Sequence, residues 1–352
     1  MQKRTSKSYG KKPTSLKRTV SFSKKFTNIF FHILTRCNLR CRHCYINPDQ
    51  HGIETLPLSV IELWLKVFSE KGKAANVIFL GGEPTLHPSL PAAVKIARDL
   101  GFGSVTVDTN GYLFNDILQR VSAEDIEYFS FSLDGPDAET NDPIRGRGSF
   151  EKCVSGICQA VSGGFDASLI YTVSQANIHQ LHRMPGMLKK WGIKRFFIQV
   201  IGVRGQSARS DQIAGEGLQV PYDQWLEVVP RVAEKAAQMG IIVTYPKVYL
   251  EGDEPFECAG LVADNYFIFP NGRVYRCPLC EDYPVHSLQM EENRLVKMPR
   301  INEMDLFHLS IPEGCVMNKI IQPYNISYDM AGVPRYRVAC CMLKEEIRPV
   351  DR

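Results

Sequence analysis

An α/β chain built on a parallel sheet is the fold class that the sequence predicts, and three observations predict it. Short apolar runs rich in Val, Ile, Phe and Thr alternate with longer amphipathic stretches from residue 28 to about residue 245. Most of these runs carry too few polar residues for a half-exposed strand, as expected of strands covered on both faces. The intervening stretches are long enough to be helices, which crossovers between parallel strands require. Composition agrees: at 352 residues, 44% hydrophobic and 23% charged, the chain suits one large globular domain with an appendage. Wholesale disorder, a collagen-like repeat and a disulfide-stapled miniprotein are excluded.

The elements follow in order. Residues 1–27 open with nine basic residues and no acid among the first 25, lack an apolar period, and read as a disordered tail. Strands are predicted at 29–34, 76–80, 104–107, 128–133, 167–173 and 195–201. Ser59-Val60-Ile61-Glu62 reads as a capping box opening a helix that closes near Gly72. Residues 88–100 read as a helix with Gly101 just past its end. Further helices are predicted at 114–121, 150–161, 184–191 and 222–239. Six strand–helix units in a row are too few for a closed eight-unit barrel. An open, partial barrel and a doubly wound sheet both remain. After Tyr245 the rhythm stops, and Pro, Gly, Cys and short strands such as 266–269 take over. Asn271-Gly272 reads as a hairpin turn. The domain boundary is placed near residue 250, giving units at 28–250 and 251–352.

Net charge is +4, concentrated in the first 25 residues, so the remaining body is mildly acidic. That balance predicts no nucleic-acid partner. Ile29-Phe30-Phe31 is far too short to span a bilayer and no signal peptide precedes it, so the reading is a cytoplasmic protein without membrane contact. Eleven cysteines cannot all pair, and a cytosol keeps thiols reduced. Cys153 and Cys158 read as small buried hydrophobes on a helix. The other two groups read as metal ligands.

Cys37, Cys41 and Cys44 are spaced C-x3-C-x2-C directly after the first strand of the rhythm. Zinc sites usually take four ligands in C-x2-C pairs. Three thiolates instead suit a [4Fe–4S] cluster with one iron left open for a substrate or cofactor. A zinc knuckle completed by His43 is the alternative. Parallel sheets place their ligands at this end of the strands. Gly81-Gly82-Glu83-Pro84 follows the second strand, and its bare backbone suits close approach to a ligand.

Together these two segments resemble the signatures of the radical S-adenosylmethionine superfamily, over roughly residues 28–245. The resemblance implies a partial, TIM-like (β/α)6 barrel. It implies that Cys37, Cys41 and Cys44 hold the cluster, and that Gly81, Gly82, Glu83 and Pro84 lie against S-adenosylmethionine. Thr109-Asn110-Gly111 and Ser132-Leu133-Asp134-Gly135 are similar to the family's strand-end segments, which adds Asn110 and Ser132 to the cofactor-binding set. Arg145-Gly146 is similar as well. One departure stands out. The family commonly has an aromatic residue before the third cysteine, stacking near the adenine, whereas this chain has His43, with Tyr45 just beyond.

Cys258 followed by Gly272 and Cys277, with Cys280 next, resembles the SPASM and twitch auxiliary-cluster domains of the same superfamily. The resemblance implies one auxiliary [4Fe–4S] cluster on Cys258, Cys277 and Cys280, with a fourth ligand from Cys315, Cys340 or Cys341. The neighbours Cys340 and Cys341 are expected to supply one ligand between them. A structural zinc ribbon is the alternative. No single side chain is assigned a catalytic role beyond the cluster.

The activity implied is reductive cleavage of S-adenosylmethionine to a 5′-deoxyadenosyl radical that abstracts hydrogen from a substrate. The expected electron donor is of flavodoxin or ferredoxin type. Peptide or protein maturation is the first expectation for substrate, and cofactor or small-metabolite biosynthesis the second. A non-catalytic iron–sulfur electron carrier and a zinc-stabilised binding module are the alternatives from other classes. Tyr171, Gln199, Arg204 and Arg209 lie at or after strand ends and are further candidates to face a substrate.

Overall fold

The computed structural model describes residues 15–209 and 217–350. Among these residues fifteen strands run in chain order: β1 (Ser15–Val20), β2 (Phe26–His32), β3 (Ala74–Leu80), β4 (Ser104–Thr109), β5 (Tyr128–Ser132), β6 (Ala167–Val173), β7 (Arg195–Val200), β8 (Ile242–Pro246), β9 (Tyr249–Leu250), β10 (Asp264–Ile268), β11 (Arg273–Tyr275), β12 (Leu288–Glu291), β13 (Arg294–Lys297), β14 (Arg337–Val338) and β15 (Lys344–Pro349). Among the described residues, thirteen join one sheet in the order β1-β15-β8-β7-β6-β5-β4-β3-β2-β10-β11-β12-β13. From β8 through β2 to β10 every neighbouring pair is parallel. The sheet stays open, because antiparallel β15 covers β8 and antiparallel β11 covers β10. This is the mixed α/β, open parallel arrangement expected.

Helices pack where the amphipathic stretches put them: Leu58–Ser69, Leu90–Asp99, Ser149–Ser162, Met184–Lys190 and Tyr222–Gln238. Their apolar stripes, including Ile61, Leu65, Ala93, Ile157, Leu188 and Val229, meet Phe31, Phe79, Val107, Phe131, Leu169 and Phe196 from the strands in one buried core. Each large side chain so buried contributes about 1.5–3 kcal/mol. The residues in between point the other way. In β4 the pattern of half-buried and buried residues alternates strictly, with Ser104, Thr106 and Asp108 on the second face. That face is the inside of the half-barrel, and it is polar.

Several expectations change. The helix begins at Leu58 with extended Pro57 at the cap position, so Ser59 lies inside the first turn and no side-chain cap forms. Gly101 N–H does donate back to Arg98 O at 2.9 Å, as a residue beyond a helix end does. Helix 149–162 buries Cys153 but exposes Cys158, which lies on its outer face. Residues 15–20, expected in the disordered tail, form β1 and pair along their whole length with β15. Residues 1–14 of that basic segment lie outside the described residues. The boundary at 250 does not separate two sheets: β10 continues the parallel sheet at β2, and β15 covers β8. The strand expected at 266–269 is β10, but its place beside β2 was not expected, and β15 was not expected at all, because each reaches the sheet from beyond the alternating region. The hairpin at Asn271-Gly272 joins β10 to β11 as expected.

Candidate functional site

The first cysteine loop leaves β2 at the carboxyl end of the parallel strands. Its backbone is clipped to the Gly81–Pro84 segment at the end of β3. Gly82 N–H donates to Leu34 O and Glu83 N–H to Arg36 O, both at 3.0 Å. A Cβ on Gly82 would lie 2.3 Å from Arg36 O and 2.4 Å from Thr35 O. The glycine is therefore needed for two backbones to touch, a role additional to the ligand approach expected from sequence. We predict that Gly82→Ala lowers stability by about 2–3 kcal/mol in urea unfolding. Gly186→Ala, in a helix with open space around it, is the neutral control.

Glu83 is buried and ties three segments together. Its Oε1 accepts from Thr85 N–H (3.1 Å), Thr85 Oγ1 (2.6 Å) and Thr109 Oγ1 (2.8 Å), and its Oε2 from Asn110 N–H (2.7 Å). Burial pushes its pKa up and these hydrogen bonds oppose the rise. Pro84 begins the short 3₁₀ turn that lets Glu83 cap its own chain. Asn110 then reaches the cysteine loop: its Nδ2 donates to Asn38 Oδ1 (2.8 Å) and lies 3.8 Å from Cys37 Sγ.

His43 and the third cysteine are anchored from the other side. His43 Nε2 lies 2.7 Å from Asp134 Oδ2, and Arg145 Nε lies 2.6 Å from the same oxygen. Asp134 Oδ1 accepts from Thr172 N–H at 2.7 Å. Burial alone would raise the Asp134 pKa, but Arg145 and His43 outweigh it and hold the carboxyl at about 2. His43 is thus aimed by a carboxylate, and its buried Nδ1 has no hydrogen-bond partner among the described residues. Tyr45 turns away, its hydroxyl 2.7 Å from His32 Nε2.

Cys37, Cys41 and Cys44 share this loop. Burial pushes the Cys37 thiol up to about 11 and the Cys41 thiol up to about 12, with Arg145 opposing the rise at Cys41 and, with Arg204, at Cys44. Among the described residues no three His, Cys, Asp or Glu side chains surround one metal-ion position. Three thiolates on a cubic cluster each take a different iron, so they do not share one position. The donor set, the two arginines favouring thiolate and the unpartnered His43 Nδ1 fit a cluster with an additional ligand beside it.

The C-terminal cysteines also come together. Cys258, Cys277, Cys315, Cys340 and Cys341 line one cavity. Cys280 reaches Cys277, which also reaches Cys341. Cys258 and Cys315 stand at the amino ends of the short helices Ala259–Val262 and Val316–Ile321, whose N–H groups favour their thiolates against burial. Buried Glu303 accepts from Cys277 N–H (3.1 Å) and Arg276 N–H (2.7 Å), fixing the Cys277 turn. Cys340 and Cys341 both line the cavity, at a turn closed by a Leu343-to-Cys340 backbone bond. These thiols fit an auxiliary cluster, with two more sulfurs present than one cluster takes.

Inside the half-barrel the expected Gln199 and Ser132 lie among Asp108, Ser130, Thr172 and Lys344, which sequence reasoning did not single out. Asp108 is registered with Ser130 and Thr172 with Gln199, so each pair shares a face. Lys344 Nζ donates to Gln199 Oε1 at 3.2 Å. Ser132 stands at the end of β5, level with Ile170. Asp108 was legible as the polar member of an alternating Ser-Val-Thr-Val-Asp-Thr strand. Of the other candidates, Tyr171 is fully buried and donates to Asn177 O (2.9 Å), so it faces the core; Arg209 is exposed; Arg204 is enclosed.

Burial raises the Asp108 pKa to about 7, Ser130 opposes and Glu83 adds to the rise. Its folded pKa exceeds the unfolded value, so the folded state binds more protons between roughly pH 4 and 7 and stability falls as pH rises through that window. We predict that Asp108→Asn is more stable than the parent at pH 8, by about 4 kcal/mol, and that the two converge near pH 4. Urea unfolding at both pH values checks this.

Comparison with known proteins places these features. A family sequence model described as Radical SAM superfamily matches residues 31–184. The chain is 28% identical to "Fe-coproporphyrin III synthase" of Methanosarcina barkeri, over 61% of this chain and 55% of that protein. It is also 28% identical to "Mycofactocin maturase MftC" of Mycobacterium ulcerans, over 69% of this chain and 65% of that protein. The chain therefore spans about half to two thirds of these relatives' length. In fold it is similar to Streptococcus suis SuiB, solved bound to precursor peptide SuiA, with a TM-score of 0.59 and 13% identity over 81% of this chain and 65% of that one. Among the described residues no helix is long and apolar enough to cross a membrane.

Proposed function

From the Radical SAM superfamily domain that this chain carries at residues 31–184, we propose that it cleaves S-adenosylmethionine reductively and uses the 5′-deoxyadenosyl radical to take hydrogen from a peptide or protein substrate. Members of that superfamily use a [4Fe–4S] cluster and S-adenosylmethionine. The observation that carries the proposal is the anchoring of three thiols, by Glu83, Asn110 and Asp134, over the carboxyl end of an open parallel sheet. When bound, the cluster supplies one electron at low potential. Cys37, Cys41 and Cys44 hold it. Gly81–Pro84 and Asn110 fix the loop from the β3–β4 side, and Asp134 with Arg145 fixes it through His43. Ser132, Asp108, Thr172 and Gln199 line the face on which a substrate is held away from water.

Peptide or protein maturation is supported by a maturase among the relatives and by the fold shared with a peptide-bound protein. A second reading, biosynthesis of a cofactor or small metabolite, is supported by the equally identical synthase. The six C-terminal thiols support an auxiliary cluster. A flavodoxin- or ferredoxin-type donor and a cytoplasmic setting complete the proposal.

Anaerobic reconstitution followed by dithionite reduction with S-adenosylmethionine tests it. We expect iron and sulfide in the protein and release of 5′-deoxyadenosine. Iron without nucleoside, under confirmed reduction, would leave an electron carrier. Zinc without iron would leave a binding module. Deuterium transfer into the nucleoside from labelled peptides, but not from labelled tetrapyrroles or nucleotides, separates the two substrate readings.

A further inference from the structure

The loop after β7 touches both cysteine groups. Gln206 N–H donates to Cys44 O at 2.7 Å. Gly205, at φ 55°, packs so closely that a Cβ there would lie 2.7 Å from Tyr45 O and 2.8 Å from Cys44 O. Its N–H donates to Asp282 Oδ2 (3.0 Å), while Asn47 Nδ2 donates to Asp282 Oδ1 (2.7 Å). The first cysteine loop, the β7 loop and the segment after Cys280 are thereby clasped together.

Arg204 is the centre of the clasp. Its guanidinium stands 4.7 Å from the Tyr45 ring centroid, beside Cys44 in the chain. Nη1 donates to Pro278 O and to Glu281 Oε2, the latter at 2.5 Å. Pro278 follows Cys277 and Glu281 follows Cys280 directly. Glu281 is buried, and Arg204 is largely so. His51 Nε2, against Glu281 O at 2.9 Å, closes the far side. The Arg204 charge favours thiolate at Cys44 and is itself stabilised by Cys341.

We propose that Arg204 is a positioning residue that couples the two cysteine centres, as a fixed cation wedged between them that favours the reduced state of both. The inference rests on the reading that both centres carry clusters. A buried cation adds favourable interaction with each electron that a nearby cluster accepts, so it raises both reduction potentials. The adjacent carboxylate of Glu281 offsets part of that effect and keeps the guanidinium in place. Replacing Arg204 alone would bury an unpaired carboxylate, so the variants must remove the pair in steps.

The test is a redox titration, followed by electron paramagnetic resonance, of the full chain reconstituted without oxygen. The parent, Glu281→Gln, and Glu281→Gln with Arg204→Met are compared. C37A/C41A/C44A, which keeps only the second centre, assigns the signals. From parent to Glu281→Gln we expect both midpoint potentials to rise. From that variant to the double variant, which removes the cation alone, we expect both to fall, and Arg204→Lys with Glu281→Gln to restore most of the fall. An unchanged potential at either centre in that step overturns the coupling. So does loss of iron from the double variant, as a bridge needed only for assembly predicts. A parent chain with fewer than two reducible centres overturns the cluster reading together with the coupling, which separates the two failures.

Discussion

Replacing Cys37, Cys41 and Cys44 together by alanine is expected to remove one cluster's worth of iron and to abolish 5′-deoxyadenosine release, a loss of at least ~10³-fold, within the range of rate enhancement that a catalytic centre supplies. Burial keeps these thiols protonated in the metal-free chain, with Cys37 near 11 and Cys41 near 12. Their removal therefore leaves no stranded charge, and only small packing losses follow. Thermal unfolding of the metal-free triple variant should match that of the metal-free parent within a few degrees. Iron analysis, nucleoside chromatography and the melting curve together check the result. Full nucleoside release from the triple variant would end the functional proposal.

The second large effect is on stability and centres on Asp134. This carboxylate holds Arg145 at 2.6 Å and His43 at 2.7 Å, and accepts from Thr172 N–H. Alanine at this position leaves the Arg145 guanidinium buried and unpaired. Breaking a buried pair from one side costs about 3–5 kcal/mol, and we expect a loss of that size in urea unfolding at pH 7. Asp134→Asn with Arg145→Met, which removes both charges, should recover part of it. The pH dependence has a defined sign. The folded pKa, about 2, lies below the unfolded one, so the contribution is complete above roughly pH 4 and is lost as pH falls toward 2. That contribution is about 2 kcal/mol and should vanish from the Asp134→Asn profile.

The parallel sheet and the two thiol groups were legible because each leaves a local mark. Buried strands write continuous apolar runs, and cysteines at fixed spacing write a loop. What escaped was non-local. β10 enters the sheet beside β2 across more than 230 residues, with Ile268 registered to Phe31, and no periodicity reports such a pairing. The capping box at Ser59 failed because the helix begins at Leu58, which leaves the cap position to Pro57, a residue with no side-chain acceptor. The four hydrogen bonds by which Glu83 locks loops together also escaped, a role set by Thr85, Thr109 and Asn110 arriving from elsewhere. Tyr171 sat at a strand end in sequence but on the core side of β6. Asp134 was read only as part of a strand-end segment, although it is the buried ion-pair hub. Asp108 alone could have been found, from the strict alternation of β4.

The pairing of β1 with β15 has a consequence for synthesis. β8 exposes a bare row of backbone donors and acceptors until residues 344–349 leave the ribosome, since that segment is what covers it. Bare rows of this kind recruit other strands. A nascent chain stalled before residue 344 should therefore be prone to sticking to its neighbours, and β1, already made, would wait beside it for a partner not yet translated.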